Sequence, residues 1–171
     1  MCNTRIPSNL YWTSFVRTQW DLGLRAGDVL AITTSAYDRA GRLWVYEHKT
    51  HKSGWHTLRP STSEAIASCL AANPGRSLIW PGLKPRSFYR AFSRLAAAAC
   101  LPGTSRWLRS GSSSAVEKAN PGQGWRFLNH SGPAVFEKHY RIDKVCQPES
   151  IMPPEIGSGP DGTPGGKDGA A

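Results

Sequence analysis

The chain has 171 residues, enough for one domain with a core of its own. It carries 21 Lys and Arg against 12 Asp and Glu, a surplus that suits a polyanion, although charge alone does not separate DNA from RNA or acidic lipid. Cys2, Cys69, Cys100 and Cys146 form no CxxC pair, which excludes a zinc or disulfide framework. Residues 1–10 hold no apolar run for a signal peptide, and no window nears the roughly 20 apolar residues of a membrane span, so a soluble cytoplasmic chain is expected.

After an irregular lead-in, Trp12, Phe15, Val16 and Trp20 recur at helical spacing up to Leu22. Gly23 breaks that helix, and a second short one begins near Ala26, leaving Arg25 at the bend. A turn at Asp38-Arg39-Ala40-Gly41 leads to a strand over 43–48, rich in strand formers. A loop over 50–54 separates it from a second strand at 55–58, giving an antiparallel hairpin. Ser61-Thr62-Ser63-Glu64 matches a capping box for a helix over 62–72. Pro85 opens an amphipathic helix with Phe88, Phe92, Leu95 and Ala99 on one face. Helices over 106–118, 123–129 and about 133–145 follow. Cys69 and Cys100 are expected as small core residues, and Trp44, Trp55 and Trp107 as core or cleft-wall residues. From Gln147 onward the chain is rich in Pro and Gly with few large apolar groups, and reads as a disordered tail over 147–171.

Four blocks gain meaning in order. Gly23-Leu24-Arg25-Ala26-Gly27-Asp28 comes first, then His48-Lys49-Thr50-His51-Lys52 on the hairpin. Arg106-Trp107-Leu108-Arg109 follows, and Leu128-Asn129-His130-Ser131-Gly132 with Lys138-His139-Tyr140 closes the set. Taken together the set resembles the arginine box, lysine loop, His-x-x-Arg box and Leu-Gly-His block with nucleophile of the tyrosine recombinases (the phage-integrase family). The resemblance covers about residues 12–146. It implies an α+β, mainly α, catalytic domain over 1–146, with a small antiparallel hairpin between helices.

It also implies chemistry: site-specific DNA recombination or integration through a 3′-phosphotyrosyl intermediate, with no cofactor, metal or ATP. Tyr140 would be the nucleophile. Arg25 and Arg109 would fork onto the scissile phosphate, which suits planar guanidinium groups. His130 would hydrogen-bond the same phosphate. Lys49 would protonate the leaving 5′-oxygen, with Lys52 a neighbour able to take that role. Asp28 would support the site. Double-stranded DNA is the implied partner, with self-association on it, and a mobile-element origin is in keeping. Read singly, each residue has a plainer account: a packing tyrosine, solvated arginines, a soluble edge-strand lysine, a helix-capping histidine.

Two departures matter. Arg106 stands where the family has histidine, and an arginine cannot act as a base near neutral pH. It could still stabilise the phosphate, as a cation does in type IB topoisomerases, so a slower enzyme is expected. The family's N-terminal core-binding domain has no counterpart ahead of the first helix, so a separate core-binding domain or partner recombinase is expected to complete the clamp. The alternative reading is a truncated or decayed integrase that binds DNA without catalysis. Asn129 in place of the usual Gly is a smaller change, since Asn tolerates left-handed backbone.

Overall fold

Helix α1, Ser8–Leu22, is the element around which the others pack. In the computed structural model the described residues are 8–134, apart from 39, 73, 83, 84, 102, 103 and 131. The expected helix over 133–145 falls almost wholly outside them, and the tail over 147–171 and Tyr140 fall outside altogether. Short α2 (Ala26–Leu30) follows α1, then strands β1 (Arg42–Glu47) and β2 (Lys52–Thr57). Helices α3 (Pro60–Ala71), α4 (Pro85–Ala98), α5 (Ser105–Ala119) and α6 (Gly124–Phe127) complete the described order. The architecture is mainly helical with one two-stranded antiparallel sheet, as expected.

The apolar face of α1 explains its place. Phe15 is fully buried against Phe88 of α4, with ring centroids 4.7 Å apart, and against Trp80 in an edge-to-face contact. Trp80 is itself fixed where it lies, because its indole N–H donates to Ser14 Oγ at 2.9 Å. Ile66 and Cys69 of α3, Val29 of α2, and Leu43 and Val45 of β1 extend the same core. The strand alternates strictly, with Leu43, Val45 and Glu47 inward and Arg42, Trp44 and Tyr46 outward.

Two buried polar groups of α1 bind its end to the rest. Gln19 Nε2 donates to the carbonyls of Leu24 and Ser105, at 3.2 and 3.1 Å, joining the α1–α2 bend to the start of α5. Asp21 accepts from Thr62 Oγ1 at 2.6 Å and pairs with Arg59 at 3.1 Å, joining α1 to α3. These pairings serve the Gln19 amide nitrogen and the Asp21 carboxylate, which would otherwise be costly to bury.

Several local expectations are corrected. Helix α3 starts at Pro60 behind Arg59 with no side-chain cap, so Ser61 lies within the first turn instead of capping it. The hairpin loop is shorter than expected, and Lys52 opens β2 opposite Glu47 because the strand register carries pairing to the loop's edge. Cys69 is buried, and burial pushes its thiol pKa up, but Cys100 is exposed just beyond α4 at φ +54°. Trp44, Trp55 and Trp107 are exposed and not in the core, with Trp55 and Trp107 each lining the wall of a cavity.

Candidate active site

Arg25 lies where the backbone reverses. Gly23 adopts φ +59°, and a Cβ there would come within 2.5 Å of the Phe127 ring and 3.1 Å of Leu128. The position therefore needs glycine twice over, for its backbone and for the close approach of α6. That approach brings the segment after α6, carrying Asn129 and His130, beside Arg25.

Arg25 is the residue before α2, with its side chain about one-third exposed. Its Nη1 donates to Glu47 Oε2 at 3.4 Å and lies 3.9 Å from Asp28 Oδ2. Asp28 is buried and accepts from the backbone N–H of His48 at 3.1 Å, with His48 Nδ1 also 3.1 Å away. Asp28 thus holds the hairpin tip as well as the arginine. Lys49, the next residue, is exposed in the turn.

Arg109 comes from the opposite wall. It lies on α5, is 4% exposed, and donates through Nη2 to the Leu128 carbonyl at 3.1 Å. The same Nη2 lies 3.5 Å from His130 Nε2. His130 has its pKa lowered, first by burial, then by the charges of Arg109 and Arg25 and more weakly Lys49, with Glu47 opposing. Arg109 thus stands beside His130, and the charges of Arg25 and Lys49 also bear on that imidazole. Arg106, one turn earlier on α5, is exposed to solvent. Tyr140 lies outside the described residues.

Sequence reasoning overlooked Glu47. It is buried at the end of β1, accepts from Asn129 Nδ2 at 2.7 Å, and receives Arg25 on its other oxygen. A strand ending in an inward-pointing carboxylate was the available signal, since such a group must find cations or donors. Asn129 takes φ +57°, in the left-handed region, and Lys52 Nζ donates to its Oδ1 at 2.9 Å. Lys52 Nζ also reaches the Asn129 carbonyl at 3.3 Å.

This architecture is that of the tyrosine-recombinase catalytic domain. The XerA recombinase superposes with a TM-score of 0.68 at 14% identity, over 80% of this chain and 54% of that one. A lambda integrase tetramer bound to a Holliday junction gives 0.60 at 20% identity, over 84% of this chain and 49% of that one. The lambda integrase catalytic core gives 0.54 at 22%, over 75% of this chain and 96% of that one. The chain thus spans about half the length of the first two. No protein-family model matches the sequence, and no curated protein is significantly similar to it.

Proposed function

We propose that this chain is a site-specific DNA recombinase or integrase that cuts and rejoins duplex DNA through Tyr140. The observation that carries the reading is the meeting of Arg109 with His130 at 3.5 Å, with Arg25 joined through Glu47 to Asn129, the residue before His130. Two fixed guanidinium groups and an imidazole facing one cleft suit the non-bridging oxygens of a phosphodiester. In the proposed step the Tyr140 phenolic oxygen bonds to phosphorus while the bond to the 5′-oxygen breaks. Lys49 gives its proton to that leaving oxygen. His130, held neutral by its surroundings, takes the phenolic proton that Arg106 cannot accept. The resulting phosphotyrosine keeps the bond energy, and a free 5′-hydroxyl reverses the reaction.

The outer surface favours duplex DNA as partner. Arg86, Arg90 and Arg94 stand one turn apart on α4, exposed and without an ion pair among the described residues, and α4 holds no acidic residue. Successive members of that row rise about 6 Å along the helix, forming a cationic stripe for a phosphate backbone. By analogy with the lambda integrase assembly, the active form is a multimer on DNA, completed by a core-binding domain supplied in the same chain or by a partner.

The test is a nicked suicide substrate. Wild type is expected to yield a covalent protein–DNA adduct, Tyr140→Phe none, and Tyr89→Phe the wild-type amount. Equal adduct from both variants would remove Tyr140 from the role. A second reading, DNA retention without cleavage, draws on the solvent-exposed Arg106 in the histidine position. Salt-dependent retention with no adduct even in Arg106→His would establish it instead.

A further inference from the structure

The outer face of the hairpin is unlike the rest of the surface. Trp44, Tyr46 and Trp55 stand on it together, 40%, 44% and 50% exposed. Trp44 and Trp55 are register partners, with ring centroids 5.5 Å apart at 68°. Arg42 lies over the Trp55 ring at 5.2 Å, and is itself held by Asp38 in two contacts of 2.7 Å. Tyr46 continues the row, its hydroxyl 3.0 Å from His51 Nδ1. A cross-strand pair of this kind steadies a small hairpin, but one pair would suffice for that, and a long aromatic edge is a solubility liability.

The edge of β2 adds charge. A cleft of about 270 Å³ runs between β2 and α6, with Trp55, Lys52 and Arg126 among its lining. Arg126 rests on the Trp125 ring, and neither it nor Lys52 has an ion-pair partner among the described residues. The nearby carboxylates are already engaged, Asp38 by Arg42 and Glu47 by Arg25 and Asn129. Exposed rings beside cations without an ion pair, Lys52 keeping one N–H beyond the two it gives Asn129, match a strand of unpaired nucleotides, which offers bases for stacking and phosphates for the cleft. An intact duplex hides its base faces within the stack. A protein partner would meet an apolar patch interrupted by Arg42 and Ser53.

We propose that the outer hairpin face and the cleft beside β2 form a binding site for unpaired nucleotides, with bases on Trp44 and Trp55 and phosphates at Lys52 and Arg126. The inference builds on the DNA-processing reading above. It adds a substrate feature: single-stranded or unpaired DNA next to the phosphate to be cut, since Lys52 and Glu47 share Asn129 with the site.

Fluorescence polarisation of the full chain with a labelled oligothymidine, and separately with a labelled duplex, tests it. Trp44→Ala with Trp55→Ala is expected to weaken oligothymidine binding at least about tenfold and to leave duplex binding unchanged. Trp44→Phe with Trp55→Phe, which keeps the ring faces and the hairpin contact, is expected to restore most of the loss. Equal oligothymidine affinity in wild type and the alanine variant would overturn the proposal, as would a parallel loss of duplex binding. So would a change confined to sedimentation, which would make this face a protein interface. Adduct formation through Tyr140, measured alongside, separates the two readings. Stacking without adduct removes strand transfer and keeps this site, and adduct without stacking does the reverse.

Discussion

The chain uses arginine in two opposite ways, and the contrast separates the floor of the cleft from the face of α4. Arg109 is buried, with its guanidinium spent on the Leu128 carbonyl and turned toward His130. Arg86, Arg90 and Arg94 project into solvent from a helix without carboxylates. A buried, oriented cation pays its ordering entropy during folding, so it meets a phosphate already in place and acts on one geometry. An exposed row meets whatever phosphates pass, and its effect is screened by salt. On the proposed reading, placement would divide phosphate recognition into a fixed receptor and a diffuse attraction.

Substitutions at the two places should therefore differ in kind as well as size. Arg109→Lys, which keeps the charge and loses the fork, is expected to slow adduct formation by roughly 100-fold or more, with duplex affinity nearly unchanged. A fall in affinity matching the fall in rate would break the distinction. Gly23→Ala should destabilise the fold by about 2–4 kcal/mol, seen as a lower urea midpoint, because a Cβ would press Phe127 and the backbone would be strained. Cleavage should suffer more than duplex binding, since the cleft is displaced and the α4 row is not. Replacing Arg86, Arg90 and Arg94 together by Gln should lower the slope of log affinity against log salt by up to about 3, and leave single-turnover cleavage at saturating DNA intact.

The smallest expected effect is a pH dependence. His130 has its folded-state pKa lowered from the ordinary 6.5 by burial and by Arg109 and Arg25. The folded chain therefore binds fewer protons than the unfolded one as the medium is acidified. Its stability contribution is complete above about pH 6.5 and is lost as pH falls through the lowered folded value. His130→Gln should flatten the decline of Tm with acidification over that range. His56, lowered mainly by burial, keeps a residual slope in the variant. An unchanged slope would show that the His130 pKa is not lowered in the folded chain.

How much of this the sequence disclosed follows from the range of each interaction. The helices of residues 8–127 and the hairpin were legible, because apolar period and glycine or proline breaks are local signals. The meeting of Arg25, Arg109 and His130 was expected only through resemblance to a family, since nothing local brings residues so far apart into one cleft. Glu47 went unread because its role depends on what lies beneath the strand end. The same holds for Gln19, which looks like a surface residue until Leu24 and Ser105 turn their carbonyls toward it. The capping motif misled because Pro60 opens the helix behind Arg59, which puts Ser61 inside the first turn and not at the cap. Trp44 lies outside the core because strand alternation turns it outward with its register partner Trp55.

Asn129 carries a consequence of its own. A glycine would satisfy the left-handed backbone at that position, but it could not reach Glu47 with one end of its side chain and Lys52 with the other. Asparagine therefore makes hairpin position and arginine cluster two halves of one equilibrium. If a strand on the hairpin and a phosphate at the cluster both bind as proposed, whatever free energy the first contributes to ordering the cluster the second would return to the hairpin in equal measure.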